Sequence, residues 1–117
     1  MKAILYKTDS LNRKASILDV PDNLHGMEWF AKQIGCEWVE IVRPKRLPHG
    51  YVMLVDEMGM YTDKKPNLLG CFLYGTDIHG SPIIGDILIV CEKECDLCGL
   101  SDVQVAHIME MYDLHTD

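Results

Sequence analysis

Residues 83–90 are Ile83, Ile84, Gly85, Asp86, Ile87, Leu88, Ile89 and Val90, the most nearly continuous apolar run in the chain. A strand with one wet face alternates apolar and polar residues, because successive side chains point to opposite faces. A run that does not alternate predicts a central strand covered on both faces. The rest of the chain then has to supply neighbouring strands and the layers that cover them. At 117 residues, 48% hydrophobic and 25% charged, it has the means to do so. A chain of this size buries roughly two-thirds of its unfolded surface. One domain spanning residues 1–117 is the expectation.

Around that strand the patterning is legible in short pieces. Residues 2–7 and 14–20 read as two strands, with Asp9, Ser10 and Asn12 as turn residues between them, an opening hairpin. Pro21, Asp22 and Asn23 break the second strand and offer a helix start. Leu24, Met27, Ala31 and Ile34 recur at helical spacing, widened by Trp29 and Phe30, and Gly35 supplies a stop. Residues 38–42 and 51–55 read as the third and fourth strands, joined by a proline- and glycine-bearing loop over residues 43–50. A short helix is expected over residues 67–74 after Pro66, weakened by Gly70, followed by turns at Gly75–Asp77 and at His79 and Gly80. Ser101 and Gln104 form a capping box, and Val105, Ile108, Met109 and Tyr112 make one stripe of the helix it opens. The sum is an α+β fold: a mostly antiparallel sheet of about five strands with two or three helices packed on it.

The formal net charge of −7 argues against non-specific binding to nucleic acid or to an anionic membrane, since both require a positive face. No stretch approaches the roughly 20 apolar residues of a membrane-spanning helix, and the start of the chain lacks a signal-peptide core. A soluble cytoplasmic protein with reduced thiols is the expectation for its five cysteines.

Three groups of residues invite a chemical reading. Cys91, Cys95 and Cys98 have the spacing of a radical-SAM cluster motif, but the chain is too short for the barrel such enzymes need. The gap between Cys95 and Cys98 suits zinc, with Cys91 and His107 available to complete a tetrahedron; the alternative is a reduced, acidic turn joining strand to helix. Cys36 and Cys71 read as core. The second group is Arg43, Lys45 and Arg46 with His49, a concentration of cations stiffened by Pro44 and Pro48. Guanidinium groups grip phosphate through paired hydrogen bonds, so this loop is the best anion site in the sequence, with Tyr51 or Trp38 placed to stack on a base. The alternative is a solvated loop. The third is Asp56 and Glu57 before Gly59, readable as an acid/base or magnesium pair and more simply as a polar turn. No nucleophile motif, phosphate-binding glycine loop or dinucleotide fingerprint is present, so the chain is expected not to be an enzyme and to carry no cofactor unless the cysteines hold zinc.

The order Glu37-Trp38-Val39-Glu40-Ile41-Val42, then Leu54-Val55-Asp56-Glu57-Met58-Gly59, then Pro66-Asn67, then residues 83–90, with the helix over 24–34 and a Leu100-Ser101 helix start, resembles DUF3846. That is a family of small proteins of phages, plasmids and Firmicute genomes, catalogued as a domain of unknown function. Asp56 stands where the family usually has Asn, and neither the cysteine group nor the 43–50 loop is a hallmark of it. The resemblance implies a mobile-element accessory protein that counters host defence. Three functions follow as expectations. The first is a binding protein that sequesters a small anionic, nucleotide-derived ligand, with a homo-oligomer supplying further pocket walls. The second is an inhibitor that docks on a host protein through its acidic surface. The third is a metal-dependent hydrolase using Asp56, Glu57 and a histidine.

Overall fold

The structure, a computed structural model, describes residues 1–8, 14–24, 26–94 and 96–112, together with the backbone of residues 115–116. Strand β1 (Lys2–Tyr6) and strand β2 (Lys14–Asp19) pair antiparallel from Lys2 opposite Asp19 to Tyr6 opposite Ala15. The turn residues expected between them lie outside the described residues. Helix α1 (Glu28–Ile34) is followed by β3 (Val39–Val42) and β4 (Tyr51–Asp56), then by a 3-10 turn at Gly59–Tyr61. Helices α2 (Leu68–Tyr74) and α3 (Thr76–His79) lead to β5 (Ile87–Lys93), β6 (Asp96–Cys98), α4 (Asp102–Met111) and the short β7 (His115–Thr116). The sheet runs β3-β4-β5-β1-β2-β7, with β6 paired to β5. Among the described residues only the β2–β7 pairing is parallel. Cys91 faces Tyr51 of β4 on one edge of β5 and Cys98 of β6 on the other, so β6 continues the edge that β1 begins. The fold is therefore α+β as expected, with more strands than the sequence suggested.

The two-faced character read from residues 83–90 is what organises the interior. Ile87, Ile89 and Cys91 enter one core with Ile4, Tyr6, Met53 and Val55, covered by Leu69 and Leu73 of α2 and Ile108 of α4. Leu88 and Val90 enter the other with Ala3, Leu5, Val52 and Leu54, covered by Phe30 and Ile34 of α1. Ile87, Leu88, Ile89 and Val90 have no exposed surface. At roughly 1.5–3 kcal/mol for each large apolar side chain buried, this strand supplies more of the folding free energy than any surface contact described below.

Three expectations need correction. The central strand begins at Ile87, not Ile83, because Gly85 has φ 94°, which no extended strand accommodates; Ile84 instead makes an isolated bridge to Pro66. Helix α1 begins at Glu28, not Leu24: Gly26 has φ 62°, and the N-cap residue Met27 makes no side-chain cap. Leu24 and Met27 still pack on the second core, which is the hydrophobic part of the pattern without the helical part. The segment 76–79, expected as a turn, is one short helix.

One buried polar residue ties the layers together. Asn67 is fully buried. Its Oδ1 accepts from the Gly70 amide at 2.9 Å and caps α2, while its Nδ2 donates to the Tyr6 carbonyl at 2.9 Å. Its main chain bonds Ile83 and Cys71. This is the physical content of the Pro66-Asn67 motif: it fastens α2 to β1.

Candidate functional site

The cationic loop is not loose. Pro44 and Leu47 are buried, and Leu47 belongs to the first core. Arg43 makes a two-point bond to Glu92 of β5, with Nε 2.9 Å and Nη2 2.5 Å from its oxygens. Arg46 does the same to Asp77 of α3 at 2.8 and 3.1 Å, donates to the Phe72 carbonyl, and lies 4.6 Å above the Phe72 ring. The guanidinium bonds hold the carboxyls of Glu92 and Asp77 below their ordinary range. Lys45 is exposed and has no ion pair with a described residue.

Arg43, His49 and Tyr51 line one groove of about 440 Å³, together with Pro44, Leu47, Pro48 and Val52, and with Glu92 and Glu94. Lys45, Arg46 and Trp38 of the expected anion site do not line it. Its electrostatics differ from the expectation: one guanidinium, already satisfied, faces two carboxylates. Tyr51 turns its hydroxyl to His107 Nδ1 at 3.4 Å, and burial pushes its phenol up. Trp38 lies elsewhere, just ahead of β3, whereas Arg43 follows the strand's last residue. At about 3.3 Å per residue the two are separated by roughly 16 Å.

The cysteine segment is a hairpin of β5 and β6, correcting the expected turn from strand to helix. Tyr51, Cys91 and Cys98 form a row across three strands under α4. Gln104 donates to Cys91 Sγ at 3.7 Å, and burial, with a hydrogen bond to Cys91, raises the Cys98 thiol. Cys95 lies outside the described residues. Among the described residues no group of three or more histidine, cysteine, aspartate or glutamate side chains could hold a metal ion. His107 is engaged with Tyr51.

At the third group, Asp56 is buried with both oxygens occupied: the Met58 amide donates at 2.9 Å and Lys64 Nζ at 2.8 Å. Lys64 also donates to the Gly35 carbonyl at 2.8 Å, so Asp56 fastens the end of β4 to the end of α1. Glu57 is exposed and does not converge on it.

Sequence reasoning missed a different surface. Strand β3 ends the sheet, and no described residue pairs with its outer edge. Trp38, just ahead of the strand, is 60% exposed, and Met58, Met60 and Tyr61, in and before the 3-10 turn after β4, are 44%, 64% and 83% exposed. One cavity, of about 320 Å³, holds Trp38, Met58 and Glu37 at the start of the strand. A second, of about 220 Å³, lies beside Glu40 and Val42 and is walled by Met60, Tyr74 and Pro82. Asp56 borders both. The available signal was the presence of Met58, Met60 and Tyr61 in a polar turn, where no periodicity calls for large apolar residues.

No helix among the described residues is long and apolar enough to cross a membrane. The model of a family described as a domain of unknown function (DUF3846) matches residues 1–113, and the chain belongs to that family. No curated protein and no solved structure matches it.

Proposed function

We propose that this DUF3846 protein is a non-enzymatic accessory protein that docks on a protein partner. The observation that carries the reading is the exposure of Trp38, Met58 and Met60 in the cavities beside β3, with exposed Tyr61 next to Met60, where no described residue pairs with the strand's outer edge. Single exposed apolar residues are ordinary, but three beside one strand edge that no described residue pairs, with a fourth next in the chain, have the aromatic and methionine composition of an interface core. Glu37, Glu40 and Glu57 ring the patch, and none has an ion pair with a described residue. In the mobile-element setting implied by the resemblance, the partner is a host factor in the host cytoplasm and the outcome is relief from defence. The test is a Trp38→Ser/Met60→Ser/Tyr61→Ser variant expressed in the host. Loss of the protein's phenotype, with folding intact by circular dichroism, is expected; full phenotype would overturn the reading.

A second reading, capture of a small nucleotide-derived anion, is favoured by the convergence of Arg43, His49 and Tyr51 on one groove, with Lys45 in the same loop. It requires the ligand to take Arg43 from Glu92 and to tolerate Glu94. Calorimetry against cyclic and ADP-ribose-derived nucleotides tests it: saturable heat lost in an Arg43→Ala/Lys45→Ala/Arg46→Ala variant supports it, and no heat across the panel sinks it.

A further inference from the structure

We infer that the partner supplies an extended, positively charged segment that adds a strand to the outer edge of β3. This rests on the docking reading above and specifies its mode. An edge strand presents unpaired main-chain donors and acceptors, and an incoming strand satisfies them while its alternate side chains enter pockets on the sheet face. Here the pockets are present. Glu40 and Val42 border the cavity walled by Met60, Tyr74 and Pro82, whose 220 Å³ is roughly seven water volumes, room for an inserted side chain. Trp38 and Met58 provide a second apolar contact at the strand's start.

Charge selects the occupant. Glu37, Glu40 and Glu57 lie beside the edge without an ion pair to a described residue, while Lys64, the nearby cation, is held by Asp56. An incoming lysine or arginine therefore meets carboxylates that no described residue neutralises. A second copy of this chain meets the opposite situation. Antiparallel pairing of β3 with itself brings both copies' carboxylates to one seam, within a screening length of about 8–10 Å, between two chains of net charge −7. Complementarity thus favours a basic segment of another protein over self-association.

The experiment uses the full chain and two blocked octapeptides of alternating sequence, one of lysine and valine and one of glutamate and valine, with amide hydrogen exchange read residue by residue. The lysine peptide is expected to slow exchange in residues 39–42 about tenfold or more, the glutamate peptide to leave it unchanged. A lysine peptide N-methylated on one alternate set of residues, which keeps charge and side chains but removes the ladder donors, is expected to lose that protection. A Glu37→Gln/Glu40→Gln/Glu57→Gln variant is expected to bind the lysine peptide about fivefold or more weakly. Equal protection by both peptides, or protection at 39–42 from self-association without peptide, overturns the inference. So does binding that slows no amide in 39–42; if that binding is lost in the Trp38/Met60/Tyr61 variant, the docking surface stands and only strand addition fails.

Discussion

Strand β3 and the 43–50 loop are neighbours in the chain and opposites in the fold. The loop carries three cations, and the fold engages two of them internally: Arg43 with Glu92, Arg46 with Asp77 and Phe72. The strand carries no chemical signature in sequence, yet no described residue pairs with its outer edge. The difference teaches that a concentration of charge is a poor guide to a binding surface when opposite charges are brought to it by distant segments. Glu92 is 49 residues from Arg43 and Asp77 is 31 from Arg46.

If the tied elements are structural and the β3 edge functional, disrupting each should show it differently. The largest effect on stability is expected from Asn67→Ala. It removes the cap of α2 and the bond that Asn67 Nδ2 donates to the Tyr6 carbonyl, a loss of about 1–3 kcal/mol measured by urea denaturation. A smaller effect is expected on acidification. Glu92 and Asp77 are held below their ordinary range by guanidinium bonds, so each contributes stability above its unfolded pKa, about 4, which is lost as pH falls through the folded value. The melting temperature should decline more steeply below about pH 4 in the parent than in an Arg43→Ala/Arg46→Ala variant. Parallel curves would mean the pairs are ornamental and the cations free for a ligand. The smallest effect on stability, under about 1 kcal/mol, is expected from the exposed-edge variant Trp38→Ser/Met60→Ser/Tyr61→Ser, which should nevertheless lose partner binding. A large loss of stability there would make the edge part of the core and erase the contrast.

What was legible in sequence follows the range of the interactions involved. The capping box at Ser101 and Gln104 is local and is present in full, with Gln104 Oε1 2.8 Å from the Ser101 amide. The burial of Ile87 to Val90 was legible because a strand covered twice needs apolar residues at every position. Gly85 stood in the middle of the same run, but its positive φ is set by the approach of residue 65, whose carbonyl accepts its amide. The β6 hairpin was hidden because cysteines at metal-like spacing also serve as a cross-strand pair. For the site, Arg43, His49 and Tyr51 of the expected anion site share one groove, and its charge was not legible because Glu92 and Glu94 come from elsewhere in the chain. The β3 edge was invisible, since whether a strand is central or terminal depends on the order of the sheet and not on the strand's own four residues.

The central claim, that the β3 edge and not the cationic loop meets the partner, is tested most directly by photo-crosslinking in the host. A benzophenone side chain is placed at Glu40 in one variant and at Lys45 in another. The expected result is a discrete protein adduct from position 40, mapping to a lysine- or arginine-rich segment of the partner, and none from position 45. An adduct from position 45 with none from position 40 would contradict it.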